Sequence, residues 1–146
     1  MRLIVFLLAL PLAGCGEAEQ TPTATTPALV LQSIGYPDIE ANNLFGASCA
    51  YASGKSMAPL VIAFADEAVM KIDGKIKRFQ ADRDSEIVEL GTRTRYVARN
   101  HTLRLTIEGE GKQGGVESVN FTGTLRLLDD AGGELFAAEG SVQCGS

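Results

Sequence analysis

The chain has 146 residues, of which 13 are basic and 18 acidic, giving a formal net charge of −5. This acidic balance excludes broad binding to nucleic acids, whose phosphates attract basic surfaces. The length suits one domain with a core of useful size.

The first segment is apolar and short. Arg2 precedes an apolar stretch over residues 3–12, which ends in small residues before Cys15. This layout is typical of a cleaved export signal, and the stretch is shorter than the roughly 20 residues that span a bilayer. The run Leu12-Ala13-Gly14-Cys15 resembles the lipobox of bacterial lipoproteins. The resemblance implies cleavage of residues 1–14 and lipidation of Cys15; an ordinary signal peptide with an incidental cysteine is the alternative.

The segment after Cys15 predicts how the domain is held. Gly16 stands where an aspartate would retain a lipoprotein at the inner membrane of enteric bacteria. The resemblance therefore implies the outer membrane, with the domain in the periplasm or at the cell surface. Residues 15–28 contain no large apolar side chain, which predicts a disordered tether. Residues 29–43 could form a short helix or a strand, broken by Gly35 and Pro37.

From residue 44 to 146 the apolar residues follow a period of two, which predicts an all-β domain. Asp73-Gly74 is the strongest hairpin signal, and further turns are predicted at Asn100-His101 and over residues 129–133. The glycine-rich residues 109–115 are interpreted as a flexible loop. The eight predicted strands cover residues 45–52, 60–65, 68–72, 75–80, 93–99, 102–108, 117–128 and 134–144.

Two cysteines remain for the domain once Cys15 is assigned to lipid. Exported proteins oxidise such pairs, so we expect a Cys49–Cys144 disulfide, with two buried free thiols as the alternative. The bond would join the first and last predicted strands. The fold class expected is therefore a single antiparallel meander of about eight strands, closed as a small barrel. An open two-sheet sandwich pinned by the same disulfide is the alternative.

Basic residues are concentrated in one part of the chain. Nine of the 12 that follow the signal lie between Lys71 and Arg104. Alternation sends Leu103 inward and Arg104 outward, and a turn at Asn100-His101 would place Arg93 opposite Glu108. Neighbouring strands would then present a basic stripe to an anionic partner; ordinary solvated strand faces are the alternative. The candidate partner-binding residues are Lys75, Lys77, Arg93, Arg95, Tyr96, Arg99 and Arg104.

The chain offers few groups for catalysis. Its one histidine, His101, falls in a predicted turn. Asp82, Asp84 and Glu86 alternate as at the start of a calcium loop, but Ile87 occupies the place of the required glycine. No Gly-x-Ser-x-Gly elbow and no His/Cys zinc set is present. We therefore expect no enzymatic activity, no metal, no cofactor and a monomeric β-domain.

Several features together resemble the membrane-bound C-type lysozyme inhibitors of Gram-negative envelopes. They are the two framing cysteines, an apolar strand over residues 60–64, the hairpin of residues 68–75 and Tyr96 after a polar loop. That family carries inhibition on a Ser/Gly/Ala-rich loop ahead of its tyrosine; here only Gly91 and Tyr96 match, and the serine is absent. The resemblance implies a protein-binding module, with inhibition as one role. A carrier of a small apolar ligand in the barrel and a structural or assembly factor of the envelope are the alternatives.

Overall fold

The computed structural model describes residues 29–146. The expected signal peptide, the lipidated Cys15 and the tether lie outside these residues. The described elements are β1 (Leu31–Gln32), α1 (Tyr36–Asn42), β2 (Ser48–Ser53), β3 (Val61–Ala63), β4 (Glu67–Ile72), β5 (Lys75–Ala81), a 3-10 turn (Glu89–Gly91), β6 (Arg95–Val97), β7 (His101–Gln113), β8 (Ser118–Asp129) and β9 (Glu134–Gly145).

Strands β2 to β9 form a closed antiparallel barrel. Each strand pairs with the next along the chain, and β9 returns to pair with β2. Cys49 and Cys144 face each other directly across this closing pair and are joined by a disulfide. The predicted closed meander and its disulfide are thus confirmed, and the sandwich alternative is wrong, because closure leaves a single continuous sheet.

The closing pair also depends on a glycine. A Cβ atom at Gly140 would lie 2.0 Å from the carbonyl oxygen of Ala52 on β2. Gly140 pairs with Ser53, the last residue of β2. Only a residue without a side chain lets the two strands approach this closely.

Residues 29–43 contain both a strand and a helix. β1 pairs with the last two residues of β4, beside the shorter β3. Leu29 and Leu31 pack against the interior of the barrel. α1 follows on the outside, where Ile34 and Leu44 form a second buried cluster with residues of β3 and β4. Among residues 29–146, no helix has the length and apolar character needed to cross a membrane.

The interior of the barrel is filled with side chains. Inward-facing residues alternate along the strands and include two tyrosines, one phenylalanine and four leucines that are almost completely buried. The large, fully buried side chains of this interior cluster are Tyr51, Tyr96, Phe79, Met70, Leu103, Leu105, Leu125, Leu127, Val61 and Val142.

Two predicted turns had different outcomes. Asp73 and Gly74 have φ angles of 50° and 76°, as the hairpin signal predicts. The turn between β6 and β7 lies one residue before the predicted one, because Ala98 donates a backbone hydrogen bond to His101. Arg99 and Asn100 therefore form the turn.

The interpretation of residues 109–115 as a flexible loop is wrong for residues 109–113, whereas Gly114 and Gly115 do lie in the connection to β8. β7 continues to Gln113, and Lys112 and Gln113 pair with Asn120 and Val119 of β8. The ladder shifts register between Glu108 and Lys112, where Gly109 adopts a φ of 80°. A glycine at a bulge lets the strand resume after the irregularity. Glycine and charged residues therefore mark a bulged strand here.

The two ends of the barrel carry different connections. We call the end with the β4–β5, β6–β7 and β8–β9 turns the entry end, because Val30 reaches it and hydrogen-bonds with Asp73. The opposite end carries residues 82–94, which join β5 to β6, and residues 114–117, which join β7 to β8. We call it the loop end.

The disulfide should contribute strongly to stability. Residues 29–146 contain all the barrel strands and both cysteines, so this segment can be tested alone. Replacing Cys49 and Cys144 together by alanine should lower the free energy of unfolding by about 2–5 kcal/mol. Urea unfolding measures this, and reduced wild-type protein should match the variant. An unchanged midpoint would contradict a stabilising role for the bond.

Candidate functional site

Residues 82–94 form a well-anchored loop at the loop end. Backbone hydrogen bonds join Val88 to Thr92 at 2.8 Å and Thr94 to Glu86 at 3.1 Å. Between them lies the 3-10 turn Glu89–Gly91. The backbone is therefore tied to itself across the base of the loop.

Tyr96 supports this loop from below. Its side chain is fully buried. The hydroxyl donates to the carbonyl oxygen of Phe64 at 2.8 Å and accepts a hydrogen bond from the backbone N–H of Arg93 at 2.7 Å. Burial raises the pKa of Tyr96 above its ordinary value. The expectation that Tyr96 contacts a partner is wrong, because its side chain lies in the core.

The loop also rests on the disulfide. Thr92 is completely buried, and its hydroxyl donates to the carbonyl oxygen of Glu89 at 2.6 Å. The same hydroxyl lies 3.8 Å from Sγ of Cys49. The closing bond of the barrel thus forms part of the surface on which the 3-10 turn packs.

Two arginines of the candidate set hold the ends of the loop. Arg93 Nη1 donates to the carbonyl oxygens of Arg83 at 3.0 Å and Ser85 at 2.7 Å. Arg95 Nε donates to Oδ2 of Asp82 at 2.6 Å. A hydrogen bond from the backbone N–H of Asp84, together with Arg95, lowers the pKa of Asp82. Arg93 and Arg95 therefore bind parts of their own chain.

Apolar side chains point outward from this fixed backbone. Ile87 is 60% exposed and Leu90 is 46% exposed. Leu90 also has a left-handed φ of 52°, which costs a non-glycine residue about 1–2 kcal/mol. Glu86 and Glu89 directly precede these two residues in the chain and are exposed, as is Asp84. The loop offers a small apolar tip with exposed carboxylates next to it in the chain.

The remaining candidate residues do not form one basic face. Lys75 and Lys77 pair with Ile72 and Met70, so they occupy the inward side of β5, exposed toward the entry end. Arg104 faces outward and lies opposite Arg95. Arg99 occupies the β6–β7 turn. The predicted single stripe is therefore divided between the outer face of the barrel, which carries Arg104, and the entry end, which carries the other three residues.

The expected pairing of Arg93 with Glu108 is also wrong. Arg95 pairs with Arg104 and Val97 with Thr102, so the hairpin register differs by two residues from the predicted one. The earlier turn at Arg99 and Asn100 is the cause, since turn position sets register. The local charge compensation expected from Glu108 is therefore absent from the β6–β7 hairpin.

Sequence reasoning missed the apolar tip. Ile87 was noted only as a departure from a calcium loop, and Leu90 was not among the candidate residues. The available signal was the presence of Ile87, Val88 and Leu90 in a segment of 13 residues of which six are charged. Their exposure depended on whether the loop folds into the barrel or outside it, which the sequence pattern does not decide.

Among residues 29–146, no group of three or more histidine, cysteine or acidic side chains is arranged to hold a metal ion. Asp82 is engaged by Arg95 and by the backbone of Asp84. The chain matches no family model, no curated protein and no solved structure.

Removing the Tyr96 hydroxyl should loosen the loop. Tyr96→Phe would leave both the carbonyl of Phe64 and the N–H of Arg93 without a partner, at a cost of about 1–3 kcal/mol. Hydrogen exchange of residues 82–94 should accelerate, and urea unfolding should show the loss of stability.

Tyr51→Phe is the matched control for this variant. Tyr51 is also fully buried, but its hydroxyl donates only to the carbonyl of Ala138, at 2.7 Å. This substitution should reduce stability without selectively accelerating exchange in the loop. Equal exchange in the loops of both variants would contradict the supporting role of Tyr96.

Proposed function

We propose that this chain is a non-enzymatic lipoprotein of the bacterial cell envelope. In this proposal, lipidated Cys15 attaches it to the outer membrane, and the loop of residues 82–94 binds a protein partner. The observation that carries the proposal is the exposure of Ile87 and Leu90 on a backbone fixed by the core. Inhibition of a C-type lysozyme is the specific activity proposed for the loop.

The chemistry of the loop suits a basic protein with an apolar cleft. Ile87 and Leu90 can bury apolar surface at the centre of a contact, while Glu86 and Glu89 can pair with basic side chains around it. Because the loop is already ordered by hydrogen bonds, its binding requires little further loss of conformational entropy. Leu90 holds a strained conformation in the free protein, and such strain is typical of functional loops.

Packing of the interior favours a surface-acting protein over a carrier. The side chains of Tyr51, Phe79 and Tyr96 are almost completely buried inside the barrel with four leucines. A small-molecule site needs a cavity of roughly 300 Å³ or more. Binding through the outer surface requires no rearrangement of this core.

The inhibitory activity can be tested with residues 29–146 and a C-type lysozyme. The wild-type domain should slow lysis of cell-wall substrate at about a one-to-one ratio. Ile87→Ser combined with Leu90→Ser should weaken inhibition by about a hundredfold, because each lost apolar contact contributes roughly 1–3 kcal/mol. Inhibition constants measured by turbidity provide the comparison.

Tyr36→Ser is the matched control, since Tyr36 is 65% exposed but lies on α1. It should inhibit as the wild type does. If the wild-type domain leaves lysis unchanged at a large molar excess, the inhibitor assignment is wrong. If the double variant inhibits as well as the wild type, the loop is not the contact surface.

The proposed anchor has its own test. Expressed in a Gram-negative host, the full chain should yield a mature protein that begins at Cys15 and carries acyl chains, as measured by mass spectrometry of the N-terminal peptide. Cys15→Ser should remove the protein from the outer-membrane fraction, since stable anchoring takes two or more acyl chains. An unmodified N-terminal peptide in the wild type would contradict the anchor.

A further inference from the structure

The entry end of the barrel carries exposed basic side chains that form no ion pair with any other residue of the described segment, 29–146. Lys75 and Lys77 lie on β5 just after the β4–β5 turn, and Arg99 lies in the β6–β7 turn, the next connection along the chain at this end of the barrel. All three are exposed. The ion pairs formed among residues 29–146 involve Lys71, Arg78, Arg95 and Arg126 instead.

The chain enters the described domain at this same place. The backbone N–H of Asp73 donates to the carbonyl oxygen of Val30 at 2.9 Å. Leu29, one residue earlier, packs against the interior cluster at the mouth of the barrel. An anchor on the preceding residues would therefore be joined to the domain at the β4–β5 side of the entry end.

Acidic residues of the entry end are concentrated on another connection. Asp129 and Asp130 belong to the β8–β9 turn, where Asp129 hydrogen-bonds to the backbone of Ala131 and Gly133. In an eight-stranded meander, the β8–β9 turn lies across the barrel from the β4–β5 turn. Asp73, in the β4–β5 turn itself, binds the backbone N–H of Val30. The side of the rim where the chain enters is thus its basic side.

The two ends of the molecule also differ in charge. The loop end carries the exposed carboxylates Asp84, Glu86, Glu89 and Glu117. An anionic surface would repel this end and attract Lys75, Lys77 and Arg99 at the other. The charge pattern would therefore orient the domain even though residues 29–146 contain 12 basic and 16 acidic residues, a net of −4.

From this placement we infer that the basic side of the entry end, formed by Lys75, Lys77 and Arg99, docks on anionic phospholipid head groups. The inference rests on the proposed lipid anchor, which brings the domain within reach of the membrane. The docked orientation directs the loop of residues 82–94 away from the bilayer. Juxtamembrane basic residues are attracted to anionic lipid surfaces within about one Debye length, roughly 10 Å at 0.1 M salt.

The absence of tryptophan from the chain makes a direct test possible. A single tryptophan at the entry end, Asn100→Trp, and one at the loop end, Val116→Trp, would each report nearness to the membrane. Full-length lipidated protein is reconstituted in phosphatidylcholine vesicles with or without phosphatidylglycerol. Quenching of tryptophan fluorescence by head-group spin-labelled lipid is then measured, and sedimentation with the vesicles is measured in parallel.

With phosphatidylglycerol, the tryptophan at position 100 should be quenched at least about twice as strongly as that at position 116, and the difference should vanish near 1 M salt, where the Debye length is about 3 Å. Lys75→Glu combined with Lys77→Glu should reduce the ratio of docked to undocked protein at least about tenfold. Arg83→Glu combined with Lys112→Glu makes the same change in net charge at the loop end and should leave docking intact.

The outcomes separate docking from anchoring. Protein that sediments with the vesicles but shows equal quenching at both positions would overturn the docking and leave the anchor in place. Equal effects of the two charge-reversal pairs would also overturn it, since overall charge would then explain the result. Wild-type protein that does not sediment contradicts the anchor, and the docking inference with it.

Discussion

The pairing of β9 with β2 is the constraint on which the rest of the structure depends. It joins strands that are about 95 residues apart in the chain, so forming it carries a large loop-closure cost that local hairpins do not. Three features of this β2–β9 pairing, which we call the seam, offset that cost: a backbone ladder of six residue pairs, the Cys49–Cys144 bond, and Gly140. Without the seam, β2 and β9 would each present an open edge, and the interior side chains would be exposed on one side.

The seam also determines where the candidate loop lies. Cys49 is at the loop end of β2, directly below Thr92, so the bond that closes the barrel also supports the 3-10 turn. Tyr96 connects the loop to the β3–β4 side through Phe64. The loop is thus held from two sides of the barrel. A change in either support should alter the positions of Ile87 and Leu90. This coupling explains how a connection of 13 residues can hold apolar side chains in solvent.

Much of the fold follows from local pattern in the sequence, because a period of two reports which face of a strand is buried. It located all eight barrel strands, and Asp73-Gly74 located a turn whose φ angles few residues adopt. Tyr96, which was included among the candidate partner-binding residues, lies inward instead. The β6–β7 register was missed because Arg99, Asn100 and His101 carry no glycine to fix the turn. The site was less predictable still, since the outward position of Ile87 depends on a loop that is held by two contacts distant in the chain, Thr92 with Cys49 and Tyr96 with Phe64.

The order in which the strands are connected places basic and acidic residues at different ends of the barrel. The overall composition does not show this separation. In an antiparallel meander, odd and even connections alternate between ends, so the entry of the chain beside the β4–β5 turn places the β5–β6 loop at the opposite end. A tether attached at the entry end cannot cover that loop without passing along the full length of a strand. The same alternation places Lys75 and Lys77 on β5 next to a connection at the entry end, Arg99 on another connection at that end, and Glu86 and Glu89 on a connection at the loop end. An overall negative charge is therefore compatible with a basic side facing a membrane, because the acidic residues of the candidate binding loop are held at the other end of the barrel.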